Sequence, residues 1–95
     1  MKTDLFNFLD IIDCELKLLR YANQNGRWLA EIDHCEIKKG PILTGTYGTG
    51  TSPNQAIADY VRLIRGKRIV INAASKPPYR REFTVPENLF YNEIS

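Results

Sequence analysis

Apolar residues recur along this chain at two different spacings. Near the start, Leu5, Phe8, Leu9 and Ile12 fall on one side of a helix, and Thr3 or Asp4 can cap it. Glu15-Leu16-Lys17-Leu18 then alternates like a strand. A second strand is expected over Arg27 to Cys35, with Trp28, Ala30 and Ile32 on one face and Arg27, Glu31 and Asp33 on the other. Asn23-Gln24-Asn25-Gly26 lies between them and signals a hairpin. Residues opposed across an antiparallel pair share a face, so Leu16 and Leu18 should pair with even-numbered partners. A turn centred on Gln24-Asn25, with Gly26 left-handed, meets that condition by pairing Asn23 with Arg27 and Leu18 with Ile32. Cys14 and Cys35 would then point to opposite faces, which disfavours a disulfide.

Lys38-Lys39-Gly40-Pro41 reads as the next turn, and Ile42 to Tyr47 as a third strand. Ser52-Pro53-Asn54-Gln55 opens a second helix with a cap, a proline in the first turn and a Gln three residues after the cap. Ala56, Ile57, Tyr60, Val61 and Ile64 form its apolar stripe, and Gly66 stops it. Lys67 to Asn72 is a β-branched fourth strand, and Glu82 to Val85 a short edge strand closed by Pro86. The order α-β-β-β-α-β-β predicts an α+β two-layer sandwich, a mainly antiparallel sheet with two helices on one face. A length of 95 residues fits one domain. Its expected parts are a core over 3–73, a loop and edge strand over 74–86, and a tail over 87–95.

Charge divides the chain more sharply than its net +2 implies. Residues 62–81 hold Arg62, Arg65, Lys67, Arg68, Lys76, Arg80 and Arg81 without an acid, while the residues on either side carry an acidic excess. Arg65, Lys67, Arg68, Lys76, Arg80 and Arg81 are therefore candidate anion-binding residues for a nucleic acid or nucleotide, with Tyr79 as a stacking group. Part of this cluster also suits a helix C-terminus, where cations are favoured. The odd-numbered hairpin residues Leu19, Tyr21, Arg27, Leu29 and Glu31 offer a mixed surface for a protein partner.

Catalytic chemistry has little to draw on. His34 and Cys35 are neighbours on a strand and face opposite ways, so they make no dyad. Glu31 and Asp33 share a face in the manner of a solvated sheet. Two cysteines and one histidine do not fit a zinc site, so neither a metal nor another cofactor is expected. The glycines of Gly45-Thr46-Tyr47-Gly48-Thr49-Gly50 match neither phosphate-loop spacing and suit a tight strand-to-helix connection. The apolar runs are too short to span a membrane, and the first residues lack a signal-peptide pattern, which suggests an intracellular protein with reduced thiols.

The pattern Leu43-Thr44-Gly45, Tyr47-Gly48-Thr49-Gly50, Ser52-Pro53, Ala56-Ile57, Asp59-Tyr60 and Ile64-Arg65-Gly66-Lys67, followed by Glu82-Phe83-Thr84-Val85-Pro86, resembles small uncharacterised proteins of bacteriophage and prophage genomes. The resemblance implies a non-enzymatic accessory protein acting in the cytoplasm of the bacterial host. Its expected partner is a host protein, such as a defence component that it inhibits. The strand–glycine–helix segment is also similar to HicB-type antitoxins, and the α-β-β-β-α order to double-stranded-RNA-binding domains. The chain departs from the latter at Thr51-Ser52-Pro53-Asn54-Gln55, where those domains place lysines. Pairing of an edge strand with a second copy is left open.

Overall fold

Both helices form where their caps and stripes place them. The computed structural model describes residues 2–21 and 26–92. Helix α1 spans Leu5–Ile12. Asp4 Oδ2 accepts the Phe6 and Asn7 amides at 3.1 and 3.4 Å, satisfying donors that the first turn leaves free. Asp13 ends the helix in the left-handed conformation, at φ 54°. Helix α2 spans Pro53–Ile64. Ser52 Oγ accepts the Gln55 amide, and Gln55 Oε1 accepts the amide and hydroxyl of Thr51. Gly66 follows at φ 70°, beyond the helix. All nine residues of the two predicted stripes are buried.

The strands are β1 (Thr3–Asp4), β2 (Leu16–Tyr21), β3 (Arg27–Ile32), β4 (Cys35–Lys39), β5 (Ile42–Thr44), β6 (Gly48–Gly50), β7 (Arg68–Ile71), β8 (Arg81–Thr84) and β9 (Leu89–Phe90). They form an antiparallel sheet β2-β3-β6, an antiparallel sheet β5-β4-β7-β8 and a parallel pair β1-β9. The fold is α+β and mainly antiparallel, but its strands are divided among these sheets rather than laid in one.

The division begins at His34, inside the single strand expected over Arg27 to Cys35. His34 adopts φ 58° and separates β3 from β4. The Asp33 amide still donates to Glu15 O of the first sheet at 2.9 Å. The next residue's carbonyl, His34 O, already accepts the Asn72 amide of the second at 3.0 Å. Side-chain alternation is reset across this turn, so Ile32 and Cys35 are both buried. Cys14 packs on the same core as Cys35, contrary to the opposite-face expectation, and both thiols are free. The strand expected over Ile42 to Tyr47 ends early, at Thr44, and pairs with β4 as β5, whereas the glycine-rich stretch expected as a connection supplies β6, which pairs with β3.

The hairpin keeps the predicted parity but shifts by two residues. Tyr21 pairs with Arg27, Leu16 with Ile32 and Leu18 with Ala30. Gly26 is left-handed, at φ 69°. Asn23, Gln24 and Asn25 lie outside the described residues. In the observed register Arg20 is opposite Trp28, with its guanidinium 5.7 Å from the ring centroid.

One core joins the helical stripes to Ala30, Ile32, Cys35, Ile69 and Ile71 of the sheets. It extends beyond the expected 3–73, because Val85 and Leu89 are fully buried in it. Leu89 is therefore part of the packed fold rather than of a tail. It pairs with Thr3, and its carbonyl accepts Arg65 Nε at 2.6 Å. Helix α2 approaches β6 closely because Gly48 and Gly50 lack side chains. A Cβ on Gly48 would lie 2.2 Å from Ala56 O, and one on Gly50 would lie 2.5 Å from Gln55 Cβ.

Candidate partner-binding face

The three-stranded sheet turns its even-numbered hairpin residues toward the core and its odd-numbered ones away. Ladder register makes this explicit: Ala30 is opposite Gly48, on the side where α2 packs, whereas Leu29 is opposite Thr49 on the outer side. On the outer side, Leu19, Tyr21, Arg27, Leu29 and Glu31 line a groove of about 620 Å³ with Gly45, Tyr47 and Thr49. The five hairpin residues singled out from the sequence are thus brought together in one concavity. Tyr47, from the connection between β5 and β6, and Thr49, from β6 itself, are additional lining residues. From the sequence, Tyr47 falls at the end of a strand and Thr49 in a connection, and only the observed β3–β6 register sets Thr49 beside Leu29.

The groove combines apolar and charged chemistry. Leu19, Tyr21 and Tyr47 are exposed, the last at 53%. Arg27 and Glu31 bracket Leu29 along β3. Such a surface can seat an aliphatic or aromatic anchor and orient it with one cation and one carboxylate. Its far edge is rigidly held. The Thr49 amide donates to Asp59 Oδ2 at 2.9 Å, and Asp59 Oδ1 accepts Arg62 Nη2 at 2.6 Å. These bonds, the amide first and the guanidinium second, hold the Asp59 carboxyl below the ordinary aspartate range.

The basic segment is used largely within the fold. Arg81 Nη1 donates to Ile12 O at 2.6 Å, at the C-terminus of α1, and its guanidinium lies 5.4 Å from the Phe83 ring centroid. Arg65 donates to Leu89 O, and Arg80 donates to Ala73 O. On the outer face of the four-stranded sheet Glu82 draws together Lys38 at 3.2 Å, Arg68 at 3.4 Å and Arg80 at 3.7 Å. The Lys38 contact, then Arg68, keeps the Glu82 carboxyl below its usual range. Val70 lies directly opposite Glu82 in that sheet and is fully buried. Of the six candidate anion-binding residues, Lys67 and Lys76 have side chains with no hydrogen-bond or ion-pair partner among the described residues, although the backbone of each is bonded within the fold. Tyr79 is exposed at 70% on the neighbouring loop.

His34 and Cys35 differ in exposure: His34 lies in the turn between β3 and β4, and Cys35 is buried. The His34 side chain is exposed, with Nε2 3.5 Å from Asp33 Oδ2, beside a shallow polar hollow that Lys17, Glu31 and Glu36 also line. The Cys35 thiol is buried against Tyr60, and burial raises it to about 11. Burial likewise raises the Tyr60 hydroxyl. No cluster of three or more His, Cys, Asp or Glu among the described residues can hold a metal ion. No helix among them is long and apolar enough to cross a membrane. No protein-family model matches the chain, and no curated protein or solved structure shows significant similarity to it.

Proposed function

We propose that this chain is a non-enzymatic protein-binding module that docks its partner on the outer face of β2-β3-β6. The supporting observation is the groove in which Leu19, Tyr21, Leu29 and Tyr47 supply apolar and aromatic contact between Arg27 and Glu31. Interfaces concentrate their energy on a few such anchors. The resemblance to bacteriophage accessory proteins makes a host protein the partner class, with inhibition of a defence component as the outcome. Occlusion or an allosteric shift of the target would both serve. The alternative, nucleic-acid or nucleotide binding, draws less support because Arg65, Arg80 and Arg81 already donate to carbonyls of the fold.

The test is affinity capture from a bacterial lysate, split into nuclease-treated and untreated halves, followed by binding measurements with the purified partner. A captured protein should survive nuclease treatment. Its affinity should fall at least tenfold with Tyr47→Ala and further with Leu19→Asp, the loss of an anchor being worth roughly 2 kcal/mol. Unchanged affinity in the double variant, or capture that disappears with the nucleic acid, would overturn the reading.

A further inference from the structure

The two edges of the β2-β3-β6 sheet are finished differently. At β6, the Thr49 amide points away from β3 and is taken by Asp59. At β2, Asp33 donates to Glu15 O across the ladder, which fixes the alternation of the strand. Odd-numbered residues exchange hydrogen bonds with β3, so Leu16, Leu18 and Arg20 direct their amides and carbonyls outward. None of these outward amides or carbonyls has a partner among the described residues. This is also the longest edge, at six residues, against three or four for the other edges of the two larger sheets.

Both faces of β2 carry exposed apolar groups. Leu18 is 39% exposed on the core side, and Leu19 and Tyr21 are exposed on the outer side. Helix α2 packs across β3 and β6. The charges of β2 do not block its edge. Arg20 lies over Trp28, and Lys17 is opposite Glu31.

We infer that β2 pairs antiparallel with β2 of a second copy of this chain, about a two-fold axis through Leu18, to form a six-stranded sheet. The register follows from the outward groups. A two-fold axis normal to the sheet maps like faces onto each other, so paired residue numbers must sum to an even value. Within the strand, the register that bonds all three outward residues sets Leu18 against Leu18 and Leu16 against Arg20. On the outer face it sets Lys17 against Leu19 and Glu15 against Tyr21, and no like charges are directly opposed. It also sets Glu15, at the acidic end of one sheet, opposite Tyr21 of the other copy, one strand before that copy's Arg27 and about 10 Å from it. This charge match selects a second copy over an unrelated strand. The outer face stays open, so two grooves lie side by side, each with Lys17 of the other copy at its rim.

Sedimentation equilibrium over about 1 to 300 μM reads this directly, since a micromolar dimer dissociates within that range. The weight-average mass should rise from one chain toward two, and the Leu16, Leu18 and Arg20 amides should exchange more slowly at the high concentration. Leu18→Pro removes an amide that β3 does not use, so the monomer should retain its helical signal and lose the association. Leu18→Lys, which opposes two cations at the axis, should act alike and decides the matter if the proline variant does not fold. A wild-type mass that stays at one chain overturns the inference. Association unchanged in Leu18→Lys does so too. Neither result bears on whether the groove binds a host protein.

Discussion

Arg81 offers the sharpest check on how the basic segment is used. Its guanidinium crosses from β8 to the C-terminus of α1, a helix with no basic residue in its last turn. It donates to Ile12 O at 2.6 Å and reaches Asp13 O at 3.5 Å, while its plane lies by Phe83. A hydrogen bond from a charged group is worth about 1.5–3 kcal/mol, and a cation at a helix C-terminus about 0.3–1. These contributions overlap, and the site is only half-buried, so Arg81→Met should cost about 2 kcal/mol. At 4–8 °C per kcal/mol for a domain of this size, the melting temperature should drop by roughly 8–16 °C. Urea denaturation followed by circular dichroism measures the loss, with Lys76→Met as the control. The Lys76 side chain has no hydrogen-bond or ion-pair partner among the described residues, and its replacement should stay within about 0.5 kcal/mol. Arg81→Lys keeps the charge without the planar fork and should fall between the two. Equal stability of Arg81→Met and Lys76→Met would refute the assignment of Arg81 to the fold.

Three further outcomes are expected. Gly48→Ala should destabilise by about 3 kcal/mol or more, since its Cβ would overlap Ala56 O and the Tyr60 amide, whereas Gly45→Ala has open space and should be near neutral in the same denaturation assay. Asp59 has a lowered folded pKa, so its contribution is fully present above the unfolded value of 3.8 and is lost as pH falls through the folded one. The stability gap between wild type and Asp59→Asn should therefore shrink over that acid window in pH-dependent unfolding. With its pKa near 11 and its side chain buried, Cys35 should resist iodoacetamide at pH 8, where about one thiol in a thousand is ionised, and Cys14 should be alkylated first by mass spectrometry.

The helices were legible because their determinants are local. Ser52, Pro53 and Gln55 sit within one turn of each other, and the stripe from Ala56 to Ile64 follows the helical period. Hairpin parity was legible for the same reason and brought the five groove residues to one face. The strand breaks were not. His34 adopts a positive φ without being glycine, and only its neighbours in space, Glu15 and Asn72, reveal why the strand must end there. Composition also misled at the basic segment. It counts cations, but it does not show that Arg81 meets Ile12 O, 69 residues away in the sequence, or that Leu89 O lies beside Arg65.

The groove and the core depend on the same close contact. Gly48 and Gly50 let α2 descend onto β6, and that descent brings Asp59 within reach of the Thr49 amide. With its edge amide taken, β6 is held against β3, and Thr49 faces outward beside Leu29. The chain must then travel from β5 in one sheet to β6 in the other, and this short connection carries Tyr47 to the groove wall. A helix centred on β3 and β6 leaves β2 at the rim, where its outward amides stay unpaired. Substituting a glycine of β6 should therefore disturb more than stability. A Gly50→Ala variant that still folds should lift α2, loosen Thr49 and weaken partner binding at a groove that the glycine never touches. Partner affinity equal to wild type in a folded Gly50→Ala chain would show that the groove is set by the hairpin alone.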